Sequence, residues 1–148
     1  LKDDYGVVAD VWSVTSWGEL RREGLAHDKA RFNDPFGEHA PTWVESKLAG
    51  TQGPIVAVSD YMHAVPDLIR PWVPRGYTTL GADGFGFSDT RAAARRYYNI
   101  DGPSIAVAVL QQLALKGEVP REWPLEAARR YRLDDVTAGA SGKTGDSE

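Results

Sequence analysis

Cysteine is absent from the 148-residue chain, which excludes disulfides, thiolate metal ligands and a cysteine nucleophile. An excess of basic residues is also missing, because 17 Lys and Arg stand against 21 Asp and Glu, for a formal net charge of −4. This balance argues against a general electrostatic affinity for nucleic acid. No apolar run approaches the roughly 18 residues that span a bilayer, and the amino terminus lacks an apolar signal-peptide core. These absences predict a cytoplasmic protein.

The composition is that of a folded domain. Hydrophobic residues make up 42% of the chain and charged residues 26%, a balance typical of globular proteins. The chain does not begin with Met, so we expect it to be a fragment of a longer polypeptide. From Asp134 onward the composition turns to Gly, Ser, Thr, Ala and Asp. We therefore predict one domain over residues 1–133 and a disordered tail over residues 134–148.

Alternating or continuous apolar segments predict the strands and helices. The predicted strands are VVADVWSV (7–14), IVAV (55–58) and YTTL (77–80). Ser16 and Glu19 have capping-box spacing, which predicts a short helix to about Glu23 with Gly24 as its stop. The chain is then predicted irregular over residues 25–41. Further helices are predicted over 42–49, over 61–73 with a break at Pro66, and over 90–99, 103–116 and 121–131.

Three strands, each followed by a helix, predict a layered α/β domain with a mainly parallel sheet. Ligands of such sheets lie beyond the carboxyl ends of the strands, so the loops at 13–18, 58–61 and 81–89 are the first candidates for a site. The glycine-rich segment GFGFSD (84–89) matches neither the dinucleotide nor the nucleotide fingerprint. We predict a tight turn with Ser88 or Asp89 capping the next helix, and the alternative is anion binding at the helix start.

The remaining polar residues predict no self-contained catalytic set. His27, His39 and His63 lack metal-site spacing, and no Gly-x-Ser-x-Gly elbow is present. We expect His27 and His39 to be solvated, and His63 to hydrogen-bond near residues 59–60. No catalytic, cofactor-binding or metal-binding residue is predicted. Arginines at 91, 95 and 96 lie on one predicted helix, and those at 91 and 95 share a face that we expect to be solvated or ion-paired, with an anion site as the alternative. Tryptophans at 12 and 72 are candidate interface anchors.

Three longer motifs carry a resemblance to a known family. The first is DVWSVTS (10–16), followed by EL at 19–20 and REG at 22–24. The second is SDYM (59–62) with IRPWVP at 69–74, and the third is LGADGFGFSDTR (80–91). Together they resemble the carboxy-terminal domain of the homodimeric bacterial pyruvate dehydrogenase family, decarboxylating component, from about residue 7 to residue 131. Ala82 departs from the family pattern, which has Thr there.

The resemblance implies a three-layer, transketolase C-terminal-like α/β domain with a mainly parallel mixed sheet, truncated at its first strand, with residues 1–5 as the end of the preceding helix. It also implies a parent enzyme that binds thiamine diphosphate and Mg²⁺. That enzyme decarboxylates pyruvate and passes the acetyl unit to a lipoyl group on the acetyltransferase of the complex.

In this family the cofactor lies between the amino-terminal and middle domains, at the interface of the homodimer. The resemblance thus implies a structural, dimer-supporting role for this domain. The fragment is then expected to bind no cofactor and to be inactive alone. Two alternatives remain open at this stage. One is a stand-alone regulatory module that binds anions, and the other is a domain of another thiamine-diphosphate enzyme, such as a 2-oxoglutarate dehydrogenase or a transketolase.

Overall fold

The structure is a computed structural model that describes residues 1–86 and 88–140. Eight α-helices, one 3₁₀ helix and two strands are found in this part of the chain. In chain order they are α1 (Lys2–Tyr5), α2 (Trp17–Asn33), α3 (Trp43–Leu48), β1 (Ile55–Val58), α4 (Ala64–Asp67), the 3₁₀ helix (Arg70–Trp72), β2 (Tyr77–Leu80), α5 (Arg91–Tyr97), α6 (Gly102–Leu115), α7 (Trp123–Arg130) and α8 (Val136–Ala140). None of the helices in these described ranges is long and apolar enough to cross a membrane.

The two strands form a small parallel sheet. β1 pairs with β2 in a register that places Ile55 opposite Tyr77 and Val58 opposite Leu80. The chain passes from β1 to β2 through α4 and the 3₁₀ helix, which together replace the predicted helix over 61–73. Pro66 lies in the first turn of α4, where its missing N–H is tolerated, so the predicted interruption takes the form of a helix that begins at Ala64, just before the proline. The parallel pairing places the carboxyl ends of both strands at one edge of the sheet.

The strand predicted over residues 7–14 is not formed. Residues 8–15 are exposed, and residues 7–15 make no backbone hydrogen bond with any described part of the chain. Val11 is 95% exposed and Trp12 is half exposed. The physical reason is that no strand among residues 1–86 and 88–140 lies beside it, and a β-strand needs a partner for its N–H and C=O groups.

Helix α2 is longer than predicted, because Gly24 does not end it. A Cβ atom built on Gly24 would lie 2.5 Å from ring atoms of Trp72, so the glycine lets the indole lie directly against the helix backbone. Trp72 is buried with Val44 and Ile69 in one core cluster, and its Nε1–H donates to Asp28 Oδ1 at 3.0 Å. The prediction of irregular chain over 25–41 is therefore wrong for 25–33. Trp72 is therefore a core residue and not an exposed interface anchor.

A second core cluster joins helices α6 and α7. Leu110 is fully buried and forms this cluster with Val107 and Ala127. Side chains from residues 1, 5 and 7 pack against the cluster. Helix α6 begins after Asp101, whose carboxylate accepts from Ser104 N at 3.0 Å, and Gly117 follows the helix with φ +75°. The predicted helix over 103–116 is therefore confirmed, since its Pro and Gly signals act as expected.

Arg96 lies inside the fold, whereas Arg95, on the face predicted to be solvated or ion-paired, pairs with Asp60. The Arg96 side chain is 4% exposed, and its Nε donates to Asp101 Oδ2 at 2.6 Å. The same guanidinium donates to the carbonyl oxygens of Tyr131 and Arg132 at 2.8 and 2.9 Å. One arginine thus ties the carboxyl end of α5 to the start of α6 and the end of α7.

The tail predicted from residue 134 contains helix α8, which packs against α5. Its first turn is joined to Asp135, whose Oδ1 accepts from Thr137 N at 2.9 Å. Residues 136–140 are thus helical in the structure, and the disorder predicted for the tail stays a prediction. The rest of the predicted tail, 141–148, lies outside the described residues. The domain boundary at residue 133 stays a prediction.

Candidate functional site

The carboxyl edge of the sheet brings two of the three predicted loops together. The segment after β1 and the segment after β2 are joined by a hydrogen bond from Ala82 N to Tyr61 O at 2.9 Å. Gly81 permits this approach, because a Cβ there would lie 2.5 Å from His63 N. The third predicted loop, 13–18, lines neither of the clefts found at this edge.

His63 and Asp83 form a bidentate contact across the edge. The His63 backbone N–H donates to Asp83 Oδ1 at 2.8 Å, and the ring Nδ1 lies 2.7 Å from Asp83 Oδ2. The carboxylate therefore fixes the imidazole orientation. The prediction that His63 hydrogen-bonds near residues 59–60 is wrong, because its partner is Asp83 and Ser59 Oγ accepts from Tyr61 N instead. Asp60 pairs with Arg95 of α5 at 3.0 Å.

Two open clefts flank the loop that follows β2. One cleft has a volume of about 380 Å³ and lies between residues 83–86 and two tyrosines. Tyr97 is the last residue of α5, and Tyr98 is its C-cap. The other has a volume of about 600 Å³ and is lined by residues 82–84 together with Tyr61, Met62 and Val65. Tyr98 Oη donates to the carbonyl oxygen of Phe85, which holds the loop tip against the helix.

Phe85 stands at the tip of this loop with its side chain 97% exposed. It lies between Gly84, which has φ +134°, and Gly86. The positive φ is a conformation that favours glycine, so this loop shape depends on the residue before Phe85. The chain thus presents a bare aromatic ring from a loop that neighbouring elements hold in place.

The cap of helix α5 differs from the prediction. Thr90 is the N-cap, and its Oγ1 accepts from Ala93 N at 3.2 Å. Asp89 contributes one residue earlier, because its Oδ1 accepts from Thr90 N at 2.6 Å. Ser88 has no such role. With a carboxylate and a hydroxyl already on these amides, the start of α5 is poorly suited to an anion.

The two other histidines are partly exposed and also make hydrogen bonds within the chain. His27 Nε2 lies 3.0 Å from Glu23 Oε1, and its Nδ1 lies 3.2 Å from the carbonyl oxygen of Ala40. His39 Nε2 lies 2.6 Å from the carbonyl oxygen of Asp34. Both rings fasten the connection between α2 and α3, far along the chain from the sheet edge.

Several displaced pKa values belong to groups that hold the fold together. Burial raises the pKa of Asp101, but hydrogen bonds from Ser104 and Arg96 outweigh it and hold the pKa below the usual value. The pKa of Asp67 is also held below its usual value, because hydrogen bonds from Arg70 and Thr79 outweigh the effect of burial. Burial raises the pKa of Tyr77, whose hydroxyl donates to the Pro66 carbonyl. These groups serve structure, and none lines a cleft.

The described residues do not fit a bound metal or a thiamine diphosphate. Within residues 1–86 and 88–140 no group of three or more His, Asp or Glu side chains is placed to hold a metal ion. The clefts also offer the diphosphate no lysine or arginine among the described residues that line them.

Comparison with known proteins decides the family. The family model described as the transketolase-like TK C-terminal domain matches residues 1–101. The chain belongs to this family. The match confirms the predicted fold class, with its helices around a small parallel sheet. In this member of the transketolase-like C-terminal family, the GADGF segment at 81–85 and the SDYM segment at 59–62 meet at the sheet edge.

Curated relatives extend the likeness almost to the end of the chain. The pyruvate dehydrogenase E1 component of Mycolicibacterium smegmatis is 58% identical over 93% of this chain and 15% of its own length. That of Mycobacterium tuberculosis is 53% identical over 97% of this chain and 16% of its own length. The Escherichia coli K12 protein of the same name is 36% identical over 90% and 15%. The chain spans about one-sixth of the length of these relatives.

Proposed function

We propose that this chain is the carboxy-terminal domain of a cytoplasmic pyruvate dehydrogenase of the acetyl-transferring type. The whole enzyme would decarboxylate pyruvate and acetylate the lipoyl group of the dihydrolipoamide acetyltransferase. The observation that carries the proposal is 58% identity to a pyruvate dehydrogenase E1 component over 93% of the chain. Such identity over nearly the whole chain favours this enzyme over a transketolase or a 2-oxoglutarate dehydrogenase.

The role of this domain in the enzyme is proposed to be structural. Its described residues assemble no group of three or more side chains that could hold a metal ion. Thiamine diphosphate and Mg²⁺, which supply the chemistry for loss of CO₂ in the whole enzyme, are then bound by the amino-terminal and middle domains. This domain packs against those domains and supports the homodimer.

The exposed apolar surface supports a role in packing. Residues 7–15 present a backbone without backbone hydrogen bonds inside the described chain. Large apolar side chains at positions 11, 36 and 85 are each at least 95% exposed. Apolar groups exposed to this extent are typical of surfaces that other protein elements cover.

A chimera tests the proposal. The matching segment of the M. smegmatis E1 component is replaced by this chain, and pyruvate decarboxylation is measured with thiamine diphosphate and Mg²⁺ present. We expect turnover and a dimer by sedimentation, whereas a chimera lacking the segment should lose both. A chimera that is expressed and folded but neither dimerises nor turns over pyruvate would contradict the assignment. Saturable thiamine diphosphate binding by the 148-residue chain alone would contradict the structural role.

A further inference from the structure

We propose that Phe85 and the clefts beside it form a docking surface for a basic and apolar segment of the remaining pyruvate dehydrogenase E1 polypeptide. The surface, named here the Phe85 surface, consists of residues 61, 62, 83, 85, 97 and 98. The inference rests on the proposed function, because it names where this domain meets the rest of that enzyme.

Exposed side chains of one chemical type are concentrated at this edge. Phe85 is 97% exposed, Tyr61 is 70% exposed, and Met62 and Tyr97 are more than half exposed. They belong to three separate segments, which follow β1, follow β2 and lie in α5. Aromatic and methionine side chains are the types enriched in the centres of protein interfaces.

The loop that carries Phe85 is held in shape before any partner arrives. Ala82 N donates to Tyr61 O, Asp83 accepts two contacts from His63, and Tyr98 Oη donates to the Phe85 carbonyl. A partner therefore has little loop entropy to remove on binding. An exposed ring on a rigid support is the arrangement expected of an interface anchor.

The charge of the clefts selects the partner. Among the described residues that line them, Asp83 is the one charged side chain. The tyrosine and phenylalanine ring faces are negative as well, because of their quadrupoles. A guanidinium or ammonium group could contact both a carboxylate and ring faces here, and an anion would meet repulsion. The structure thus favours a segment with an arginine or lysine beside an apolar pocket that takes Phe85.

Hydrogen exchange in the chimera tests the surface inside an assembled enzyme. We expect the peptide containing residues 82–86 to exchange at least tenfold more slowly in the chimera than in the 148-residue chain. Phe85→Ala should reverse most of this protection. Phe36→Ala is the matched control, because Phe36 is 98% exposed but lies in the connection between α2 and α3. It should change nothing at 82–86.

The outcomes separate this inference from the proposed function. An active, dimeric chimera without protection at 82–86 would overturn the docking surface and leave the function standing. Protection in the 148-residue chain that rises with its own concentration would identify a second copy as the occupant, against the proposal. Protection that appears on addition of the acetyltransferase alone would assign the surface to that partner, again against it.

A second measurement is independent of the chimera. N-acetyl-arginine methylamide and inorganic phosphate are titrated separately into the 148-residue chain, and amide resonances are followed by NMR. We expect the arginine probe to shift residues 83–86 and the Tyr97 ring, and Asp83→Asn to weaken that shift at least fivefold. Asn retains an oxygen that can accept from the His63 backbone N–H, so this contact of the loop is kept. Shifts with phosphate, or none with the arginine probe, would refute the choice of partner.

Discussion

Adding one methyl group at Gly24 should destabilise the domain, because the space is already filled by Trp72. A Cβ at this position would lie 2.5 Å from Cδ2 and Cε2 of the indole and 2.7 Å from Cε3. Ordinary carbon contacts are about 3.5–4.0 Å. Trp72 is buried, and its N–H is engaged by Asp28, so the ring cannot turn away without losing that bond.

The magnitude follows from two opposing effects. Overpacking a core costs about 1–3 kcal/mol, whereas Ala is favoured over Gly inside a helix by about 1 kcal/mol. The ring and the helix backbone must separate by about 1 Å to restore a normal carbon contact. We therefore place the strain at the upper end and expect Gly24→Ala to lower the free energy of unfolding by about 2 kcal/mol. For a domain of this size, that corresponds to about 4–8 °C in Tm.

Thermal unfolding followed by circular dichroism measures this loss. Gly18→Ala is the control in the same helix, because the nearest atom to its Cβ is Ser16 Oγ at 4.0 Å. We expect that variant to be as stable as the parent or slightly more stable. Equal Tm values for Gly24→Ala and the parent would refute the reasoning, since they would mean that the indole does not lie against the helix.

Other predictions concern the buried polar contacts and their pH dependence. Arg96→Met leaves the Asp101 carboxylate without its ion-pair partner and two carbonyl groups without a donor, and should cost about 3–5 kcal/mol in urea unfolding; a smaller loss than in Gly24→Ala would contradict the buried pair. Because the folded pKa of Asp101 is depressed below 3.8, its stabilisation is present above about pH 4 and is lost as the pH falls through the folded value. In Asp101→Asn, the free energy of unfolding should therefore fall less steeply as the pH is lowered below about 4. Burial and the hydrogen bond to Asp4 raise the pKa of Tyr131 to about 12, so its contribution is present below about pH 10 and declines as the pH rises toward 12. Absorbance titration at alkaline pH should show one phenol fewer above pH 11 in Tyr131→Phe.

Local sequence signals determined most of the elements. Thr42 and Glu45 form a complete capping box at α3, and the IVAV and YTTL segments form the paired strands. These signals act through neighbours within a few residues, so they can be read directly from the sequence. The glycine at position 24 could not be read in this way. Its role depends on Trp72, which lies 48 residues later in the chain. Glycine is the usual residue both at the end of a helix and where a ring packs against a helix backbone, so the sequence alone does not distinguish the two roles.

The candidate site was predictable in position and not in detail. The rule that ligands lie at the carboxyl ends of parallel strands selected the loops at 58–61 and 81–89, which meet at the edge. The pairing of His63 with Asp83 could have been found by the same rule, because each follows its strand by a few residues. The burial of Arg96 carries no local signal, since its acceptors come from residues 101, 131 and 132.

The backbone at 7–15, which makes no backbone hydrogen bond with the described chain, affects how the isolated polypeptide behaves when it is concentrated. The stretch VVADVWSV is rich in β-branched side chains, and its single charge is Asp10. A sequence of this kind with open backbone groups is a template for stacking identical copies into cross-β fibrils. We expect thioflavin-positive precipitate to form during concentration, and replacement of Val11, which is 95% exposed, by Lys to delay it without altering the fold.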